Sequence, residues 1–114
     1  MIKILRIQYQ YDERYDERSE KILVALFSYA KQASENSESM ISLTVESDHD
    51  NGYFTNYKLY CENLSQDWKN VRQILQNDFS EEMNSMIVVC EGEDGFDDYL
   101  LLHHFDKGEK LDEI

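Results

Sequence analysis

Near the N-terminus the polarity of the chain alternates. Leu5, Ile7, Tyr9 and Tyr11 fall on one side of an extended chain, and Arg6, Gln8 and Gln10 on the other. Side chains of a strand point to opposite faces with period two, so residues 2–11 are predicted as a strand with one buried face. The period then changes. After a tandem Tyr-Asp-Glu-Arg at 11–14 and 15–18, apolar residues recur at Ile22, Leu26, Tyr29 and Ala33, flanked by Leu23, Phe27 and Ala30. That spacing is an amphipathic helix, with Asp12 or Asp16 as its cap and the polar cluster 34–39 ending it in a loop.

Alternation returns over 40–47, where Ile41, Leu43 and Val45 oppose Ser42, Thr44 and Glu46, and a second extended run covers 53–61. A two-residue turn at Asn51-Gly52 would set Leu43 against Tyr60. A three-residue turn, Asp50-Asn51-Gly52, sets Ile41 against Cys61, Leu43 against Leu59 and Val45 against Tyr57. Register follows the hydrophobic face, which selects the second. A helix is predicted over 65–77, with Leu64, Trp68, Val71, Ile74 and Leu75 as its buried stripe and Asn63 or Ser65 as its cap. Phe79 closes the following turn onto the core.

The last two apolar stretches, 86–90 and 99–105, do not alternate. Met86-Ile87-Val88-Val89-Cys90 and Tyr99-Leu100-Leu101-Leu102 are too short for a typical helix and rich in strand formers. They read as strands covered on both faces, the pair around which the chain is organised, joined by a long acidic surface loop at 91–98.

The element order is β-α-β-β-α-β-β, an α+β class. Its first six elements predict a split-βαβ, ferredoxin-like antiparallel sheet with two helices on one face. The added C-terminal strand pairs beside 86–90 and makes that stretch internal. It leaves 99–105 as an apolar edge, which calls for cover by the tail, a helix or a homodimer contact. One domain spans 1–106, and 107–114 is a charged tail expected to fray.

Charge adds a direction to this picture. The 114 residues carry a net charge of −13, with 41% hydrophobic content that argues for a globular chain. Residues 1–31 hold six bases against five acids, whereas 32–114 hold five bases against nineteen acids. Between Arg72 and Lys107 there are nine acids and no Lys or Arg. Such a field repels nucleic acid and anionic membrane and draws basic partners. No apolar run approaches the ~20 residues of a membrane span. The start, Met-Ile-Lys-Ile-Leu-Arg-Ile, is too short and charged for a signal peptide, so a cytoplasmic location is expected. Cys61 and Cys90 sit in strand-like runs and are expected as reduced, buried thiols.

Candidate chemistry is sparse. No glycine-rich turn opens a helix, and no G-x-S-x-G is present. A calcium loop built on Gly52 would put Lys58 where a bidentate Glu belongs. His103 and His104 are adjacent in a strand, point to opposite faces and do not share a metal. Tyr53, Phe54, Tyr57 and Tyr60 resemble the aromatics of an RNA-binding sheet, but only Lys58 supplies charge beside them. The expectation is therefore a protein that is not an enzyme, has no metal or cofactor, and does not contact nucleic acid directly.

Binding remains. In the 91–98 segment Glu91, Glu93, Asp94, Asp97 and Asp98 concentrate charge around Phe96, an apolar anchor inside a charged ring. These six are the candidate partner-binding residues; solvated acids with Phe96 folded inward are the plainer alternative. In size and in its acid-for-base imbalance over 73–106, the chain resembles the small cytoplasmic immunity proteins of bacterial contact-dependent inhibition and related polymorphic toxin systems. The resemblance is one of general character and implies an inhibitor that binds and blocks a basic toxin or nuclease domain. The alternative is a phage-type nucleic-acid mimic that inhibits a host defence enzyme.

Overall fold

The computed structural model describes residues 3–11, 17–36, 42–48, 53–92 and 95–112. Along the chain these form β1 (Lys3–Tyr11), α1 (Glu17–Asn36), β2 (Ser42–Asp48), β3 (Tyr53–Cys61), α2 (Leu64–Asp78), a 3-10 turn (Glu82–Ser85), β4 (Met86–Gly92) and β5 (Gly95–His104). The class is α+β, in the predicted element order. The sheet runs β2-β3-β1-β4-β5, and every neighbouring pair is antiparallel. Each long helix thus links two strands with a third between them: β3 separates β1 from β2, and β1 separates β3 from β4.

The central strand is β1, not the most apolar stretch of the chain. Leu5 lies opposite both Leu59 and Cys90, and Ile7 opposite both Tyr57 and Val88. This row, with Tyr9, Cys61 and Met86, is buried against Ile22, Leu26 and Ala30 of α1 and Trp68, Val71 and Leu75 of α2. The period of two on β1 and the spacing of four on α1 meet in one core, which both helices cover from the same side. Phe79 is buried there, and its N–H caps α2 by donating to Leu75 O at 2.8 Å. Tyr57 sends its hydroxyl to the Ser19 carbonyl and ties β3 to the first turn of α1.

The register of β2 on β3 is the predicted one, Leu43 opposite Leu59 and Val45 opposite Tyr57. Ile41, the three-residue turn and the proposed caps Asp12 and Asp16 lie outside the described residues. Two helix details differ from expectation. α1 runs on through Ser34, Glu35 and Asn36, because none of these is a breaker and each costs the helix only a few tenths of a kcal/mol, roughly. Phe27 faces outward at 59% exposure, together with Val24 at 64%, since the turn of α1 centres its buried stripe on Ile22, Leu26 and Ala30. For α2, Asn63 is the cap, its side-chain oxygen accepting the Gln66 N–H at 3.3 Å.

The long acidic loop is replaced by strand. β4 continues to Gly92, β5 starts at Gly95, and these two glycines are paired. The ladder is irregular in two places. Val88 faces His103 while Val89 faces Leu101, which leaves Leu102 as a surplus residue turned into the core. Between the Gly92–Gly95 and Cys90–Leu100 pairings, four residues of β5 (96–99) stand against one of β4, Glu91. A bulge of this kind bends an edge strand and breaks its alternation, so the Leu100-Leu101-Leu102 run reflects a bulge as well as two-sided burial. Two-sided burial does hold on internal β4, where Val88 is 0% and Val89 2% exposed.

The C-terminal segment returns to the sheet. Asp112 N–H donates to Leu101 O at 2.7 Å, and Asp112 Oδ2 accepts the Leu101 N–H at 2.9 Å. The outer edge of β5 is therefore met at Leu101 by its own chain.

Candidate functional site

Of the six candidate residues of the acidic segment, the four that are described fall at one end of the β4–β5 ribbon. Glu91 belongs to β4, whereas Phe96, Asp97 and Asp98 lie in the surplus part of β5. Glu93 and Asp94 lie outside the described residues. Backbone pairing of Gly92 with Gly95 draws both arms together, so Glu91, Asp97 and Asp98 are strung along a ribbon and not around a wide loop.

Glu91 has a partner within the sheet. Its Oε1 lies 2.8 Å from Arg6 Nη1, with the two side chains 29% and 31% exposed. The pair sits on the sheet face away from the helices, where Arg6 is also directly opposite Lys58 and Val89. Reading β3 alone had found only Lys58 there, because cross-strand neighbours distant in sequence are invisible to it. Of the four aromatics counted toward that face, Tyr57 is in the core instead.

Away from the ribbon, a buried polar group links the helices. Asp67 is 5% exposed, and its Oδ1 accepts the Tyr29 hydroxyl at 2.6 Å. Asn70 donates to the same hydroxyl at 3.2 Å. Burial, reinforced by the bond to Asp67, raises the Tyr29 pKa well above its usual value. Burial first, then the charge of Asp67, pushes the Cys61 thiol up to about 12. A thiol so far from ionisation is a poor nucleophile, so this cluster ties α1 to α2 and offers no covalent chemistry. Sequence reading missed Asp67; its signal was a carboxylate placed inside the apolar stripe between Leu64 and Val71.

Each histidine meets a backbone group. His103 Nε2 is 2.9 Å from Met83 O, and His104 Nδ1 accepts the Asp106 N–H at 2.9 Å. Among the described residues no group of three or more His, Cys, Asp or Glu is placed to hold a metal ion, and no helix is long and apolar enough to cross a membrane. Both cysteines are unbridged and buried.

A cleft of about 690 Å³ opens between α2 and the returning C-terminal segment. Ser65, Lys69 and Arg72 line it from the helix, facing Leu102, Leu111 and Asp112. Nothing in the local sequence signalled it, because its second wall exists only once the tail has paired with Leu101.

No protein-family model matches the chain, and neither the curated proteins nor the solved structures searched include a match.

Proposed function

We propose that this chain is a cytoplasmic immunity-type inhibitor that binds a basic toxin or nuclease domain through the acidic end of the β4–β5 ribbon. One observation carries the reading: Phe96, Asp97 and Asp98 lie in edge strand β5 just after its Gly95 pairs with Gly92, in a stretch of sequence that also holds Glu93 and Asp94 and has no Lys or Arg. A ribbon tip reaches into a concave partner, and clustered carboxylates there accelerate encounter with a basic surface. Glu91, held by Arg6, orients the base of the ribbon and contributes less to contact.

The test is capture followed by inhibition. Proteins retained from bacterial lysate by the full chain are compared with those retained by the variant Glu93→Lys, Asp94→Lys, Asp97→Lys, Asp98→Lys. The reading expects a basic protein held by the first and lost by the second, and its activity abolished at one equivalent of inhibitor. Equal retention by the variant moves the contact elsewhere, and a captured protein whose activity is untouched overturns inhibition. Capture of a DNA-binding host enzyme in place of a toxin would favour the nucleic-acid mimic.

A further inference from the structure

The cleft beside α2 is a second place where chemistry concentrates, and its charge is of the opposite sign. Residues 59–114 contain only four bases, Lys69, Arg72, Lys107 and Lys110. Two of these line the cleft, and the other two lie on the segment that forms its far side. Ser65, Lys69 and Arg72 are spaced i, i+4 and i+7, so they make one stripe along the helix. Among the described residues neither Lys69 nor Arg72 is ion-paired. Arg72 instead lies over the Trp68 ring, 5.8 Å from its centroid. Exposed cations on a chain of net charge −13 would ordinarily find carboxylates close by; these two face a cleft.

The walls are not uniformly polar. Leu111, 45% exposed, supplies apolar surface at the rim, and the core residues Trp68 and Leu102, each 5% exposed, present an edge to the cleft. Asn63, Ser65 and Gln66 add polar groups from the first turn of α2, whose dipole favours negative charge. Asp112 is the one carboxylate among the described lining residues, and its Oδ2 is engaged by the Leu101 N–H. At about 690 Å³ the cleft lies in the range of roughly 300–1,000 Å³ common for small-molecule sites. We propose that it binds a small organic anion, a carboxylate or phosphate carried on an apolar body. The anionic group meets Lys69 and Arg72, and the body lies against Trp68, Leu102 and Leu111. This site is separate from the acidic ribbon tip and does not depend on the identity of the partner bound there.

Trp68 is the single tryptophan of the chain, which makes its indole N–H an isolated reporter. The uniformly ¹⁵N-labelled chain is titrated with phenyl phosphate, benzoate, inorganic phosphate and benzyl alcohol. A saturable shift of the Trp68 indole and the Ser65, Lys69 and Leu102 amides is expected with phenyl phosphate or benzoate, and the tighter of the two assigns the anionic group. Lys69→Gln and Arg72→Gln, both exposed and so expected to melt like the parent, should each weaken binding by about tenfold, as loss of a charge-assisted contact does. Arg72→Lys should recover part of that loss. Absence of saturation with both anions, equal binding of benzyl alcohol, equal binding of inorganic phosphate, or indifference to both glutamine variants would each overturn the proposal.

Discussion

The two hairpins at opposite edges of the sheet were built by different rules. In β2–β3 the ladder runs unbroken from Ser42 opposite Tyr60 to Asp48 opposite Phe54. In β4–β5 it breaks twice within a similar length. The first pair alternates, so a slip of one residue would turn every apolar side chain to the wrong face. The second pair carries continuous apolar runs, Ile87-Val88-Val89 on one strand and Leu100-Leu101-Leu102 on the other, so a slip exchanges one apolar side chain for another. A continuous apolar run thus leaves register to packing, and packing has chosen a bulge that delivers Leu102 to the core.

The largest effect should separate the two hairpins directly. Leu59, fully buried between β2 and β1, should cost about 3–5 kcal/mol when replaced by alanine in urea unfolding. Leu102→Ala should cost less, about 2 kcal/mol, because an irregular edge strand relaxes into the space more readily. Equal losses would mean that the bulge is as rigid as the ladder.

Next in size is the polar link from the end of β3 to the helices. Tyr29→Phe leaves Asp67 Oδ1 without its donor and should destabilise by about 1–3 kcal/mol. The same region sets an alkaline limit. The Cys61 thiol stays protonated in the folded chain up to about 12, against 9.0 for an ordinary thiol. Between these values the unfolded chain has lost a proton that the folded chain keeps, so stability falls as pH rises through that window. Tyr29, also raised, acts in the same direction above the ordinary tyrosine pKa of 10.0. Cys61→Ala should flatten the thermal-melt slope above pH 9.0; an unchanged slope would assign the alkaline loss to other groups.

Smaller effects probe the outer edge of β5. Asp112→Ala should speed hydrogen exchange at the Leu101 amide and cost about 1 kcal/mol. If an apolar edge is what the tail protects, this variant should also show stronger concentration-dependent dimerisation in sedimentation than the parent. Glu91→Gln is the mildest test. Its ion pair with Arg6 is about one-third exposed, so chemical denaturation should register less than about 1 kcal/mol.

What could be read in advance follows this division. The order of the elements, the partners of Leu43 and Val45, the cap of the second helix as one of two candidates (Asn63 or Ser65) and the inward turn of Phe79 were legible, because each depends on residues close in sequence or on a clean period. The candidate site was legible as composition only. The five acids of 91–98 were plain, but the placement of Glu91, Asp97 and Asp98 along a ribbon and the Arg6 partner of Glu91 required strands brought together by the sheet. The Asp67–Tyr29 bond was hidden for the same reason, as its members are 38 residues apart.

By itself the sequence determined the α+β class, the number of strands and helices, the register of the alternating hairpin and the acidic character of the C-terminal two-thirds. Those are set by local propensity, periodicity and charge, which need no knowledge of distant neighbours. The tertiary structure decided the central place of β1, the bulged register of β5, the pairing of Arg6 with Glu91 and the closing of the α2 cleft by Asp112. Each of these rests on contacts between segments far apart in the chain, and such contacts form only when burial of the shared core brings the segments together.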